Sequence, residues 1–473
     1  MKRTFAVVAL AAVLAACSTT TPPTEPAVAL PEAWYAPPLA HQGSSQNLAQ
    51  WWNQFDDPVL TGFIQSAQTL SPSIAAARAQ VFAARASLAG VQSAAGPQVS
   101  VLANASRGET PGQQPLGNSL SAGAQMSWAL DVWGGQAASA QRARAQQDAA
   151  NAGWHEARVL VASEVAQLYF AHRLCLAQLA VASSDRDSRA ATANANAQSE
   201  RAGLTAPAVA ALARASGADA ASRTEQQAEQ CERQLKSLVA LTGLAEPELR
   251  AQLAAAPGLP ASPRLEAMLA VNAVPTEVIR QRPDVYRAQR DLVAASEGVG
   301  VARAALLPSL SLSGGVLRNR FSSGGITTSF NSWSVGPLTL SLPVIGRSGL
   351  RASADAAVAQ YDAAGAAYAG TLRRAVAEVE LALVSLASLR QRVDATQTAV
   401  EGYTRSFNAT EARYRVGLAN LNELEEARRL KLNADSSAVT LQQERINAWI
   451  SLYVALGGGF DPLDTLNASK EPS

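Results

Sequence analysis

Few side chains here have the types and spacing to do chemistry, and those that do point away from catalysis. The chain holds three histidines, His41, His155 and His172, too far apart in sequence to form a metal-ligand pattern. Gly298-Val299-Gly300 lies inside a helical pattern with no strand before it, which is the wrong context for a phosphate loop. The cysteines say more. Cys17 follows Leu14-Ala15-Ala16 at the end of an apolar run that starts at Phe5, behind Lys2-Arg3. This is the pattern of a secretory signal, residues 1–16, cut before a cysteine that is then acylated. Ser18 comes next, rather than the aspartate that favours retention at the inner membrane. No cofactor is expected beyond the covalent diacylglycerol and fatty acid of such a terminus. Cys175 and Cys231 stand 28 residues before and 28 after Gly203. If the chain turns there as an antiparallel helical hairpin, the two reach the same height, and an oxidising compartment then favours a disulfide between them.

The elements that would position these residues come in two copies. Residues 72–108 align with 283–320 at an offset near 211: Pro72 meets Pro283, Pro97 meets Pro308 and Ser100 meets Ser311. The offset drifts slowly, so that Gly203-Leu204 meets Gly417-Leu418 and Ala240-Leu241 meets Ala455-Leu456. A repeat this long is a duplicated architecture. Each copy opens with a helix of about two dozen residues that a proline-bearing turn ends. A hairpin follows, at 98–131 and again at 309–342. Leu120, Ala122, Ala124, Met126 and Trp128 alternate with Ser119, Ser121, Gly123, Gln125 and Ser127, giving one apolar and one polar face. The segment 108–118 reads as the connecting loop, and Gly336-Pro337 as a bulge where the parity flips. Long alanine-rich patterns without proline come next, 135–201 and 349–415, each about 100 Å of helix. Both stop at a glycine, Gly203 or Gly417. The returning helices begin behind Thr205 and Pro207 in one copy and at Asn420, three before Glu423, in the other.

The expected organisation is a signal (1–16), a lipid anchor, leash and N-terminal equatorial segment (17–71) and a first repeat (72–243). An equatorial linker (244–282), a second repeat (283–457) and a polar tail (458–473) follow. Charged residues make up only 16% and the net charge is +1, which removes nucleic acid as a partner. Four strands cannot close a barrel, and an open sheet edge in lipid leaves backbone groups unpaired at several kcal/mol each. The chain must therefore oligomerise if its apolar parity faces lipid. Two chains make eight strands, an interior that side chains fill, whereas three make twelve and leave a lumen.

The sequence resembles the outer-membrane factor family of TolC-like channels, most closely its lipoprotein branch, OprM-like and NodT-like. The resemblance rests on Trp51 to Leu60 (WWNQFDDPVL), Gln281 to Val285 (QRPDV), Leu307 to Gly315 (LPSLSLSGG), Gly336 to Arg347 (GPLTLSLPVIGR), Arg413 to Arg429 (RYRVGLANLNELEEARR) and Ser451 to Gly459 (SLYVALGGG). It implies a mainly α fold with a membrane β-barrel, namely a homotrimer with twelve strands in the outer membrane on a long periplasmic α-helical barrel. It also implies a passive channel, not an enzyme, that serves a tripartite efflux system with a periplasmic adaptor and an inner-membrane pump of the RND type. Gly203, Leu204, Gly417 and Leu418 match the tips where the adaptor docks. Asn422, Glu426 and Arg429 match the constriction at the periplasmic entrance, with Glu426 where members usually carry aspartate. Trp128, Trp133, Phe321, Phe330 and Trp333 look like aromatic anchors at the membrane interfaces. A type I protein-secretion duct and a structural envelope lipoprotein are the competing readings.

Overall fold

The computed structural model describes residues 21–24, 52, 55–110, 114–259, 279 and 282–460. Cys17, His41 and the signal lie outside them. The elements are α1 (Pro58–Leu70), α2 (Pro72–Ala94), β1 (Gln98–Thr110), β2 (Gln114–Leu130), α3 (Gly135–Arg201), α4 (Pro207–Thr242), α5 (Glu246–Ala255), α6 (Pro283–Ala304), β3 (Ser309–Ser323), β4 (Ile326–Ser341), α7 (Ser348–Arg415) and α8 (Leu421–Ala455). The chain forms two compact units, and both draw on both repeats.

The first unit takes residues 21–24 with the described parts of 77–153 and 285–371. Its four strands form one antiparallel sheet in the order β1-β2-β3-β4, so β1 and β4 are its edges. The strands outrun the sequence reading at their turns. The first connection is shorter than 108–118, because β1 pairs as far as Thr110 and β2 begins at Gln114. In the second hairpin, where alternation in the sequence marks strands only at 309–320 and 330–342, pairing continues to Ser323↔Ile326 and leaves Gly324-Gly325 as the turn. Both glycines have positive φ, 55° and 84°, as the two-residue turns that match strand twist require. Gly336-Pro337 forms the expected bulge: Leu312 pairs with Leu338 and Gly314 with Val335, so two residues oppose Ser313.

The Thr/Pro leash is not wholly free of the body. Ser296 donates to the Pro22 carbonyl at 2.7 Å and Tyr361 to the Pro23 carbonyl at 2.7 Å. A Cβ on Gly300 would lie 2.9 Å from Thr21 and 3.3 Å from Ala138. Gly300 thus leaves room for the chain's own N-terminal segment.

The second unit is helical. Its core joins α1 and α3 to α7 and α8. Phe55 meets Trp449 edge-on at 4.4 Å between ring centres, and Trp52 meets Tyr453 at 4.8 Å. An 18-residue window of α3 reaches a mean hydropathy of 1.2. By length and composition alone this helix could cross a membrane, but its Val161, Val165, Tyr169, Phe170 and Leu174 are buried in this core.

Two buried charged groups tie the motifs to the core. One Asp57 oxygen caps α1, accepting from Val59 and Leu60 N–H at 3.1 and 3.2 Å. The other accepts from the Tyr169 hydroxyl at 2.5 Å and from Arg173 at 3.3 Å. Burial, with that bond to Asp57, pushes the Tyr169 hydroxyl well above its ordinary range. Arg282 is 4% exposed. It holds Asp284 through two nitrogens at 3.0 and 2.8 Å, Glu378 at 2.7 Å and the last carbonyl of α8, Ala455, at 2.9 Å. A cation at a helix C-terminus also meets the negative end of its dipole.

Cys175 on α3 and Cys231 on α4 are disulfide-bonded, with Cα atoms 5.5 Å apart. His172 sits beside the bond, its Nδ1 3.1 Å from the Cys231 carbonyl. Burial lowers its pKa, so it is held neutral. His155 packs between Trp154 and Phe460. Closing a loop of 56 residues should stabilise the α3–α4 hairpin by about 4 kcal/mol on the chain-entropy model. The double variant Cys175→Ala/Cys231→Ala should therefore unfold at lower temperature than the oxidised protein, and at the same temperature with or without reductant. Equal unfolding temperatures for variant and wild type would contradict this.

Candidate functional site

Two places in the chain carry surfaces with no evident use inside one copy: the sheet, and the ends of the helical hairpins. Each is built from local chemistry.

The sheet separates side chains by parity, and the register carries that separation across all four strands. On one face Val99 pairs across to Met126, Val101 to Ala124, Ala124 to Val316, Trp128 to Leu312, Val316 to Trp333, and Leu310 to Leu340. Val101 is 86% exposed, Trp333 77% and Val335 82%. No described residue covers this apolar face where Val101, Trp333 and Val335 stand. The opposite face presents Gln98, Ser100, Asn104, Ser119, Ser121, Gln125, Ser311, Asn319 and Ser332, and no charged side chain among the described strand residues.

The aromatic residues divide between these faces, which corrects one expectation. Trp128 and Trp333 lie on the apolar side. Phe321 pairs with Ser119 and Thr328, and Phe330 with Asn319, so both stand on the polar side. The reason is parity: each strand continues unbroken through them, and an odd step from Trp333 to Phe330 changes face. Trp133 lies outside the strands and donates its indole N–H to the Pro308 carbonyl at 2.6 Å, while Trp128 donates to Ala95 at 3.0 Å.

The hairpin ends repeat one geometry. Gly203 has φ 73° and Gly417 φ 76°. Leu204 N–H donates to the Ser199 carbonyl and Leu418 N–H to Arg413, both at 2.8 Å. Gly203 bonds back to Glu200 and Gly417 to Tyr414, both at 3.0 Å. Each is a Schellman turn, in which the residue after the glycine usually packs back on its helix. Here it does not: Leu204 is 82% and Leu418 69% exposed. The returning helices start differently. Asn420 caps α8, accepting from Glu423 N–H at 2.9 Å. Thr205 does not cap α4, whose N-cap is Ala206 with no side-chain bond, ahead of Pro207.

On the first turns of α8, Asn422, Glu426 and Arg429 share one exposed face, while Leu421, Leu424 and Arg428 are buried on the other. Glu426 and Arg429 pair through two bonds of 3.0 and 2.6 Å, both side chains 56% exposed. The Arg429 bond holds the Glu426 carboxyl below its ordinary range. A pair so exposed, three residues apart on one helix, adds little stability.

Behind it lies a cluster that sequence reading missed. Glu425 accepts from Arg189 and Arg428 and from the Ser216 hydroxyl at 2.9 Å. Arg189 also holds Asp185 at 2.9 Å and Ser216 at 2.6 Å, and Arg428 donates to Thr192 at 2.9 Å. Burial pushes the Arg428 guanidinium down, against the pull of Glu425. Asn196 donates to the Tyr414 hydroxyl at 2.8 Å. These bonds join α3, α4, α7 and α8 beside a cavity of about 380 Å³ lined by Asp185, Phe407, Arg428, Lys431 and Asp435. The only sequence signal was the charge density of Glu423 to Arg429, which does not say which charge turns inward.

Residues 63–244 and 274–458 match the family model described as outer membrane efflux protein. The pyoverdine export outer membrane protein OpmQ of Pseudomonas putida is 31% identical, across 94% of this chain and 95% of its own length. Nodulation protein T of Rhizobium leguminosarum bv. trifolii is 26% identical, across 91% and 94%. The Campylobacter jejuni CmeC outer membrane channel shares the fold, with a TM-score of 0.79 at 23% identity over 96% of this chain and 98% of that one. With both halves of the duplicated chain matched, one on each side of the linker, this protein belongs to the outer membrane efflux protein family.

Proposed function

We propose that three copies of this chain close a twelve-stranded barrel in the outer membrane, and that the assembly conducts small molecules passively from a periplasmic adaptor and inner-membrane pump to the exterior. The observation that carries this reading is the sheet: two edges, an exposed apolar face and a polar face without charge. Lipid suits the first face and water the second, and neighbouring copies supply the missing edge partners. Nothing in this reading asks the chain to supply energy, since the pump does so.

Leu204 and Leu418 are the apolar contacts offered to the adaptor, on turns whose glycines allow close approach to the backbone. The Glu426–Arg429 face lines the narrow entrance, and the partly buried Arg189–Glu425–Arg428 cluster holds the hairpins on which it sits. Cys17 carries the lipid that tethers the leash, so labelled palmitate should enter the wild type and not Cys17→Ser. A bridging envelope lipoprotein would have no use for a two-faced sheet.

The purified protein in planar bilayers should show discrete conductance steps with little preference for cations or anions, because the strand face assigned to the lumen is uncharged. Absence of steps would overturn the channel reading. Glu426→Ala and Arg429→Ala should each raise the conductance, and unchanged conductance in both would remove the entrance assignment.

A further inference from the structure

The charged residues of the strands are few, and their placement is uneven. Arg107 on β1 and Arg318 and Arg320 on β3 all have the parity of the apolar face, and all three are exposed. The register puts them close together. Arg320 lies across Leu120 from Ala105, two residues before Arg107, and Arg318 lies across Ala122 from Ala103. At about 4.8 Å per strand and about 3.4 Å per residue, Arg107 and Arg320 are on the order of 12 Å apart, and Arg318 and Arg320 about 7 Å. Glu109, the remaining charged strand residue, is exposed two residues beyond Arg107 with the same parity, where the β1–β2 register shifts, so a carboxylate borders the cluster on the turn side.

The cluster borders the apolar band. Running up β3 on this face are Leu310, Leu312, Gly314 and Val316, then Arg318 and Arg320. The six steps from Leu310 to Val316 cover about 20 Å of strand, which at a tilt of about 40° is about 15 Å of the ~25 Å apolar band of a membrane barrel. Arg318 and Arg320 follow at about 20 and about 25 Å of height above Leu310, at the edge of that band where headgroups begin. None of the three arginines forms an ion pair among the described residues. Arg318 donates to the neutral Asn331 amide at 3.1 Å, which leaves its charge uncompensated. A guanidinium beside hydrocarbon is costly unless an anion meets it.

Resting on the reading that this face meets lipid, we propose that Arg107, Arg318 and Arg320 form a binding surface for phosphate groups of the lipid headgroups at the turn end of the strands. Guanidinium matches phosphate through paired N–H donors, and three such groups within one patch select phosphorylated over zwitterionic headgroups. In a trimer the patch recurs three times around the barrel and sets its depth in the leaflet. The cargo path takes no part, since these side chains turn away from the polar face.

The test reconstitutes the full-length protein in phosphatidylcholine vesicles with trace chain-spin-labelled phosphatidic acid or phosphatidylcholine, and reads the motionally restricted lipid by electron spin resonance. Each basic residue near an anionic headgroup is worth about five-fold in association. Averaged over the whole lipid boundary, phosphatidic acid should be preferred about two- to five-fold at low salt. The preference should fall to near unity in Arg107→Gln/Arg318→Gln/Arg320→Gln and should reverse in Arg318→Glu/Arg320→Glu, with conductance unchanged. A wild type without preference, or a triple variant that keeps it, overturns the proposal while the restricted lipid itself still supports the membrane reading. Absence of restricted lipid with either label overturns both.

Discussion

A four-stranded antiparallel sheet that ends on both sides in unpaired backbone groups is the constraint on which the rest of this molecule depends. In water such edges recruit other chains, and in hydrocarbon each unsatisfied group costs several kcal/mol. The sheet also exposes an apolar face that none of the described helices covers. Both problems have one solution, a closed barrel made from several copies. The polar face, with serine, asparagine and glutamine but no charge, then follows as a water-filled interior. Duplication within the chain serves the same end, because each repeat contributes one hairpin.

The helical unit solves a different problem, that of holding long helices in register with few large side chains. Alanine gives high helix propensity but little burial per residue. Specific ties compensate: the Cys175–Cys231 bond, Asp57 between the α1 cap and Tyr169, and Arg282 between two carboxylates and the end of α8. Near the Gly203 and Gly417 turns the tie is ionic, through Glu425. A partly buried ionic tie costs desolvation, and removing one partner from it leaves the other charge uncompensated.

Much of this was legible in the sequence. The spacing of alanine between glycine stops placed α3 at its observed limits, and parity in the strands foretold both faces and the Gly336-Pro337 bulge. Equal spacing about Gly203 foretold which two cysteines meet. The failures share a cause. Phe321 and Phe330 were grouped with the tryptophans by type, although parity, followed one residue at a time, puts them on the other face. Gly324-Gly325 did not stand out as a turn because serine and threonine surround it and suit strand and loop alike. Arg282 and the Glu425 cluster depend on which charged helix face meets another helix, and no local pattern encodes that meeting. In the sequence Gly300 stands only in the wrong context for a phosphate loop, and nothing local signals that Thr21 lies against it.

The central claim is that the sheet is one third of a closed barrel, and the mass of the native particle tests it most directly. Full-length protein extracted in mild detergent and weighed by native mass spectrometry should carry three chains per particle, with no stable population of one or two. A monomer as the dominant species would contradict the account, since the exposed edges and apolar face would then have found some other cover.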